Sequence, residues 1–167
     1  YLLYYYGVVP PHIAAGSNLS FFPLGHLFRR CGAFFLRRSF KGNPIYAHCF
    51  SSYVRKLIKE GHTIEFFIEG GRSRTGKVLQ PRFGILTNVV DAVLTGGARE
   101  VTVVPISITY DRIIEAGAYS REISGGDKKS EDMGGVLRSA QVLDSRYGTI
   151  YITGGTPIRI REFIEGE

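Results

Sequence analysis

The chain has 167 residues, of which 44% are hydrophobic and 22% charged, and a formal net charge of +6. That length and balance suit one domain with a real core and exclude a disordered description, while the positive charge points to an anionic partner. The two cysteines, Cys31 and Cys49, fit a reducing compartment and no disulfide framework, and they read as plain buried or half-buried thiols.

In chain order, the first segment is an apolar and aromatic run from Tyr1 to Tyr6, with no initiator Met, cap or targeting pattern, so the chain reads as a piece of a longer protein. Short apolar runs at Ile13–Ala15 and Ala33–Leu36 read as buried strands, and the second leads directly into Arg37 and Arg38. A long helix is expected from Asn43 to Glu60. Asn43 suits the N-cap and Pro44 the first helical position. Tyr46, Cys49, Phe50, Tyr53, Val54, Leu57 and Ile58 recur on one face, and Gly61 supplies the stop.

A third strand, Ile64–Ile68, runs into "EGGRSRTGK" from Glu69 to Lys77. A second helix covers Gly84 to Leu94 and ends at Gly96-Gly97. Beyond it come a strand at Val101–Ile108, a glycine- and charge-rich surface loop at Ser124–Gly135, a weaker helix between Glu131 and Asp144, and a strand at Thr149–Ile152. Strands alternating with helices predict an α/β fold with a mixed, largely parallel sheet flanked by helices. No apolar stretch approaches the roughly 20 residues of a membrane span.

In sheets of this kind ligands gather at the carboxyl ends of strands. Both arginine-rich segments fall there, Arg37 and Arg38 after "GAFFL", Arg72 and Arg74 after "EFFIEGG". The planar guanidinium fork grips phosphate with two parallel hydrogen bonds, so two such pairs on neighbouring strands could face one dianion from two sides. Glu69 could fix an arginine or accept from a substrate hydroxyl, and the glycines let backbone N–H groups approach an anion.

Gly71 to Lys77 also fits the G-x-x-x-x-G-K core of a nucleotide-binding loop. Two features oppose that reading. Val78 stands where the magnesium-binding hydroxyl belongs, and Pro81 interrupts the helix that such a loop must start. His12, His26, His48 and His62 are scattered, none with a carboxylate at a suggestive spacing, and no serine sits in a nucleophile elbow. The residues describe a substrate site without its catalytic base. A non-enzymatic basic module for anionic membranes or nucleic acid is the competing reading, supported by arginines interleaved with aromatics in "FRRCGAFFLRRSFK".

"GAFFLRR", "FIEGGRSRTGK" and "VVPISITYDRI" resemble, in order and spacing, the second, third and fourth motifs of the glycerolipid acyltransferases. The resemblance is greatest to the membrane-associated glycerol-3-phosphate acyltransferases, then to the dihydroxyacetone-phosphate acyltransferases. It implies acyl transfer from an acyl-CoA or acyl-carrier-protein thioester to the first-carbon hydroxyl of a glycerol phosphate, with no metal or other cofactor. Arg38 then matches the acceptor-phosphate arginine, with Arg37 beside it. Glu69, Gly70, Arg72 and Ser73 match third-motif positions for the glycerol phosphate, Arg74 matches a nearby basic position, and Pro105 matches the acyl-donor side.

The family's first motif, His-x-x-x-x-Asp, has no counterpart in the sequence and is expected shortly upstream of Tyr1. A second departure is the "TGG" of Thr153–Gly155, where relatives carry an aromatic residue before a single glycine. On this resemblance the 167 residues form a single acyltransferase catalytic domain that lacks its general base and is inactive alone. An anionic membrane surface is the expected location, on the cytoplasmic side and peripheral, and nucleic acid is not an expected partner.

Overall fold

The computed structural model describes residues 2–37, 39–71, 77–96, 98, 100–111 and 148–166. They fall into two compact units. The first comprises 1–70, 81–101 and 159–167, and the second 71–80 and 102–158.

The first unit is built on a three-stranded parallel sheet of β1 (His12–Gly16), β2 (Ala33–Leu36) and β3 (Ile64–Glu65), in the order β2-β1-β3. Ile13 to Gly16 pair with Ala33 to Leu36 on one side, and His12 and Ile13 pair with Ile64 and Glu65 on the other. The chain also forms α1 (Leu2–Tyr5), α2 (Leu24–Arg30), α3 (Pro44–Lys59), α4 (Gly84–Leu94) and α5 (Ile160–Glu165).

The expected long helix is α3, and its start follows the chemistry that predicts it. The Asn43 side chain accepts a hydrogen bond from the Tyr46 N–H at 3.0 Å, and Pro44 takes the first helical position, where no N–H is needed. α4 has the expected bounds. The core of the unit joins Phe34 of β2, Phe50, Val54 and Leu57 of α3, Val89, Ala92 and Val93 of α4, and Ile160 of α5. Val54 and Ala92 are fully buried.

Consecutive side chains of β2 turn to opposite faces, as a strand requires. Phe34 meets Phe50 and Tyr53 of α3, whereas Phe35 lies beneath the guanidinium of Arg29 on α2. The sheet is therefore covered on its two faces by α2 and α3, which gives the helix-flanked arrangement expected from the sequence.

Several expectations need correction. The third strand is expected to reach Ile68 but pairs only at Ile64 and Glu65, because the following residues bend into a turn closed by the Gly70 N–H on the Phe67 carbonyl at 2.9 Å. α1, α2 and α5 carry too little periodic pattern in 4, 7 and 6 residues to be anticipated. Cys31 and Cys49 are free and exposed, not buried, since Cys49 falls on the flank of α3 rather than on its core face.

In the second unit the expected strand Val101–Ile108 breaks in two, β4 (Thr102–Val103) and β5 (Ile106–Tyr110), on either side of Val104-Pro105. β5 pairs antiparallel with β6 (Ile150–Gly154), from Ile106 opposite Gly154 to Tyr110 opposite Ile150, as a two-stranded sheet of its own, so the antiparallel pairing does not join the parallel sheet as a single mixed sheet would require. Just past that ladder the Gly155 N–H donates to the Pro105 carbonyl at 2.7 Å. A side chain at 155 would come within 3.3 Å of the Pro105 ring, so the second glycine of "TGG" has a steric reason beside the proline. At the other end, Asp111 Oδ2 accepts from the Thr149 N–H at 2.8 Å and closes the pair. β7 (Ile158–Arg159) follows in the chain. The expected loop at Ser124–Gly135 and the weak helix at Glu131–Asp144 lie outside the described residues.

Candidate acceptor-phosphate site

Two of the three parallel strands lead into the segments singled out by their charge. β2 ends at Leu36, and Arg37 is the next residue. β3 ends at Glu65, and the chain reaches Glu69 and Gly70 through the Phe67–Gly70 turn. Both exits lie at the carboxyl edge of one sheet, where a parallel α/β layer leaves room for a ligand. The strands are not the neighbours expected from the sequence; β1 runs between them. Two strand spacings set these strands about 10 Å apart across the sheet, and their ends are staggered along it, since Leu36 lies opposite Gly16 and Glu65 opposite Ile13.

Arg37 is held from the helix beside it. Its backbone N–H donates to the Tyr46 hydroxyl at 3.1 Å, and its guanidinium carbon stands 4.9 Å from the centre of the Tyr46 ring. Past the last paired residue the strand alternation no longer dictates direction, so this side chain turns onto α3. Among the described residues no carboxylate forms an ion pair with Arg37. Its charge is thus unneutralised there and faces solvent, the condition for attracting an anion.

Glu69 is half-buried within the turn. Gly70 has φ of +63°, a left-handed conformation that strains any residue with a side chain. A Cβ at 70 would also stand 2.9 Å from Cδ of Arg82, whose own N–H donates to the Ile68 carbonyl at 2.7 Å. Arg82 therefore brings a second cation to the glycine turn. Sequence reasoning passed over it, although a basic residue between Pro81 and the start of α4 was the available signal. Tyr46 was also missed, because its helical spacing assigned it to the core.

Arg38, Arg72, Ser73 and Arg74 lie outside the described residues. Pro105, expected on the acyl-donor side, is exposed and belongs to the second unit. His12 and His62 come together edge to face, with ring centres 4.8 Å apart. They sit where β1 begins and just before β3, at the amino edge of the sheet, away from the arginine exits. Among the described residues no helix is long and apolar enough to cross a membrane.

A half-buried carboxylate, a glycine turn and cations at one carboxyl edge can hold a phosphomonoester, but they contain no base to take a proton from a hydroxyl. Two family models match the chain. The one described as acyltransferase covers residues 1–109, and the one described as glycerol-3-phosphate acyltransferase C-terminal region covers residues 119–167.

Proposed function

The chain belongs to the glycerol-3-phosphate acyltransferase family, whose chemistry is acyl transfer in glycerolipid synthesis, and from that premise we propose that it forms the acceptor-phosphate side of an enzyme acylating the sn-1 hydroxyl of glycerol 3-phosphate. The product would be lysophosphatidic acid. One observation carries the reading: β2 and β3, the strands ahead of Arg37 and of the Glu69-Gly70 turn, end at the same edge of one parallel sheet, on either side of β1.

In this scheme Arg37, Arg38, Arg72 and Arg74 supply the cations for the phosphate, Ser73 and the Gly70 backbone add neutral contacts, and Glu69 orients an arginine or the glycerol hydroxyls. A His-x-x-x-x-Asp segment ahead of Tyr1 supplies the general base. The deprotonated hydroxyl attacks the thioester carbonyl of acyl-CoA or an acyl-carrier protein, hydrogen-bond donors stabilise the oxyanion, and the thiol leaves. Pro105 lines the donor side. The 167 residues alone do not turn over, and the complete protein works peripherally on the cytoplasmic face of an anionic membrane. Dihydroxyacetone phosphate is the alternative acceptor.

Kinetics of the full-length protein test the cradle. A charge-assisted hydrogen bond contributes about 1.5–3 kcal/mol. Arg38→Ala and Arg72→Ala should each lower kcat/KM for the acceptor about 10- to 100-fold and leave KM for the thioester unchanged. Wild-type acceptor kinetics in both variants would remove the assignment. Parallel assays with glycerol 3-phosphate and dihydroxyacetone phosphate decide the acceptor.

A further inference from the structure

Tyr46 stands on the first turn of α3 and is fixed from several sides. Its N–H is taken by the Asn43 side chain at 3.0 Å, and its hydroxyl accepts from the Arg37 backbone at 3.1 Å. Its ring meets the Phe40 ring edge-on at 5.1 Å, Phe40 meets Phe50 at 5.1 Å, and Phe50 packs on Phe34 in the core. A row of aromatic rings therefore runs from the buried interior to the guanidinium of Arg37, which rests 4.9 Å from the Tyr46 ring centre.

We propose that Tyr46 is the positioning residue for Arg37, holding its guanidinium over the ring so that the N–H groups turned away from the ring stay free for a phosphomonoester. The inference rests on the reading above that the ligand is the phosphate of the acceptor. The geometry suits it because the two interactions use different parts of the group. Attraction to the ring acts on the cation's charge, and hydrogen bonding to phosphate uses N–H groups turned away from the ring. An exposed arginine would lose rotamer freedom when it bound an anion, whereas one already held on a ring rooted in the core loses less. The hydroxyl adds a second restraint by anchoring the backbone from which this side chain springs.

The test is steady-state kinetics on the full-length enzyme. Tyr46→Leu removes both ring and hydroxyl and should raise the acceptor KM about 5- to 10-fold, with kcat and the thioester KM unchanged. Tyr46→Phe keeps the ring and should cost less. In an Arg37→Ala background, Tyr46→Leu should add under about 2-fold, since the partner is already gone.

A series of phenylalanines at 46 bearing increasing fluorine keeps the shape of the ring while weakening its negative face. It remains informative even where Tyr46→Leu fails to fold. The acceptor KM should climb along the series. A flat series, or a Tyr46→Leu effect undiminished in the Arg37→Ala background, overturns the proposal and leaves Tyr46 as packing alone. Arg37→Ala with an unchanged acceptor KM also overturns it, but by removing the phosphate reading of Arg37; a raised KM in Arg37→Ala with a flat fluorine series sinks only the role of Tyr46.

Discussion

Gly70→Ala is the sharpest probe of the glycine turn. Two separate penalties meet at this residue. The first is backbone: φ of +63° costs a residue with a side chain about 1–2 kcal/mol. The second is contact: the new methyl would lie 2.9 Å from Cδ of Arg82. That atom belongs to a flexible side chain, so Arg82 swings aside and the contact adds little. Backbone strain should therefore dominate, with a loss of about 1–2 kcal/mol. In a chain of this size each kcal/mol lowers Tm by about 2–4 °C. Thermal unfolding of the full-length protein, with Gly70→Asn as the variant that tolerates the left-handed region, measures it. Gly70→Asn should recover part of the loss, and adding Arg82→Ala to Gly70→Ala should not. If Arg82→Ala restored full stability, the contact and not the backbone would control the site, and the reasoning would fail. An unchanged Tm for Gly70→Ala would refute both terms. Because the Ala variant also displaces Arg82, acceptor KM should rise with it.

Asn43→Ala removes the acceptor for the Tyr46 N–H at the start of α3 and should cost about 1 kcal/mol in urea unfolding. It should also raise acceptor KM slightly, because the same first turn carries the ring under Arg37. Val54→Ala, at a fully buried position of the core, should cost about 2 kcal/mol and leave the acceptor KM unchanged.

The parts of the fold legible in the sequence are those whose signal is local. Asn43-Pro44 and the apolar stripe that follows fixed the position of α3, since capping and burial of one face both act within a few turns. "GAFFL" and "EFFIEGG" each announced a strand with charge beyond its end; the first formed as β2, and the second contributes only Glu65 to β3. The extent of β3 was misjudged because Phe66 to Ile68 look like strand in composition, while the turn onto Gly70 withdraws them from the ladder. Val101–Ile108 misled in the same way until Pro105, which lacks an N–H to donate, divided it.

Residue chemistry along the chain thus determined the family and the alternating plan of strands and helices, and it set arginines shortly after two of the apolar runs. Tertiary structure alone decided that β1 separates the two arginine exits, that Arg82 crosses Gly70, and that Arg37 turns onto Tyr46. The physical reason is that strand order and the direction of a side chain beyond its last paired residue depend on contacts between segments distant in sequence. Periodicity and spacing carry information only about neighbours along the chain.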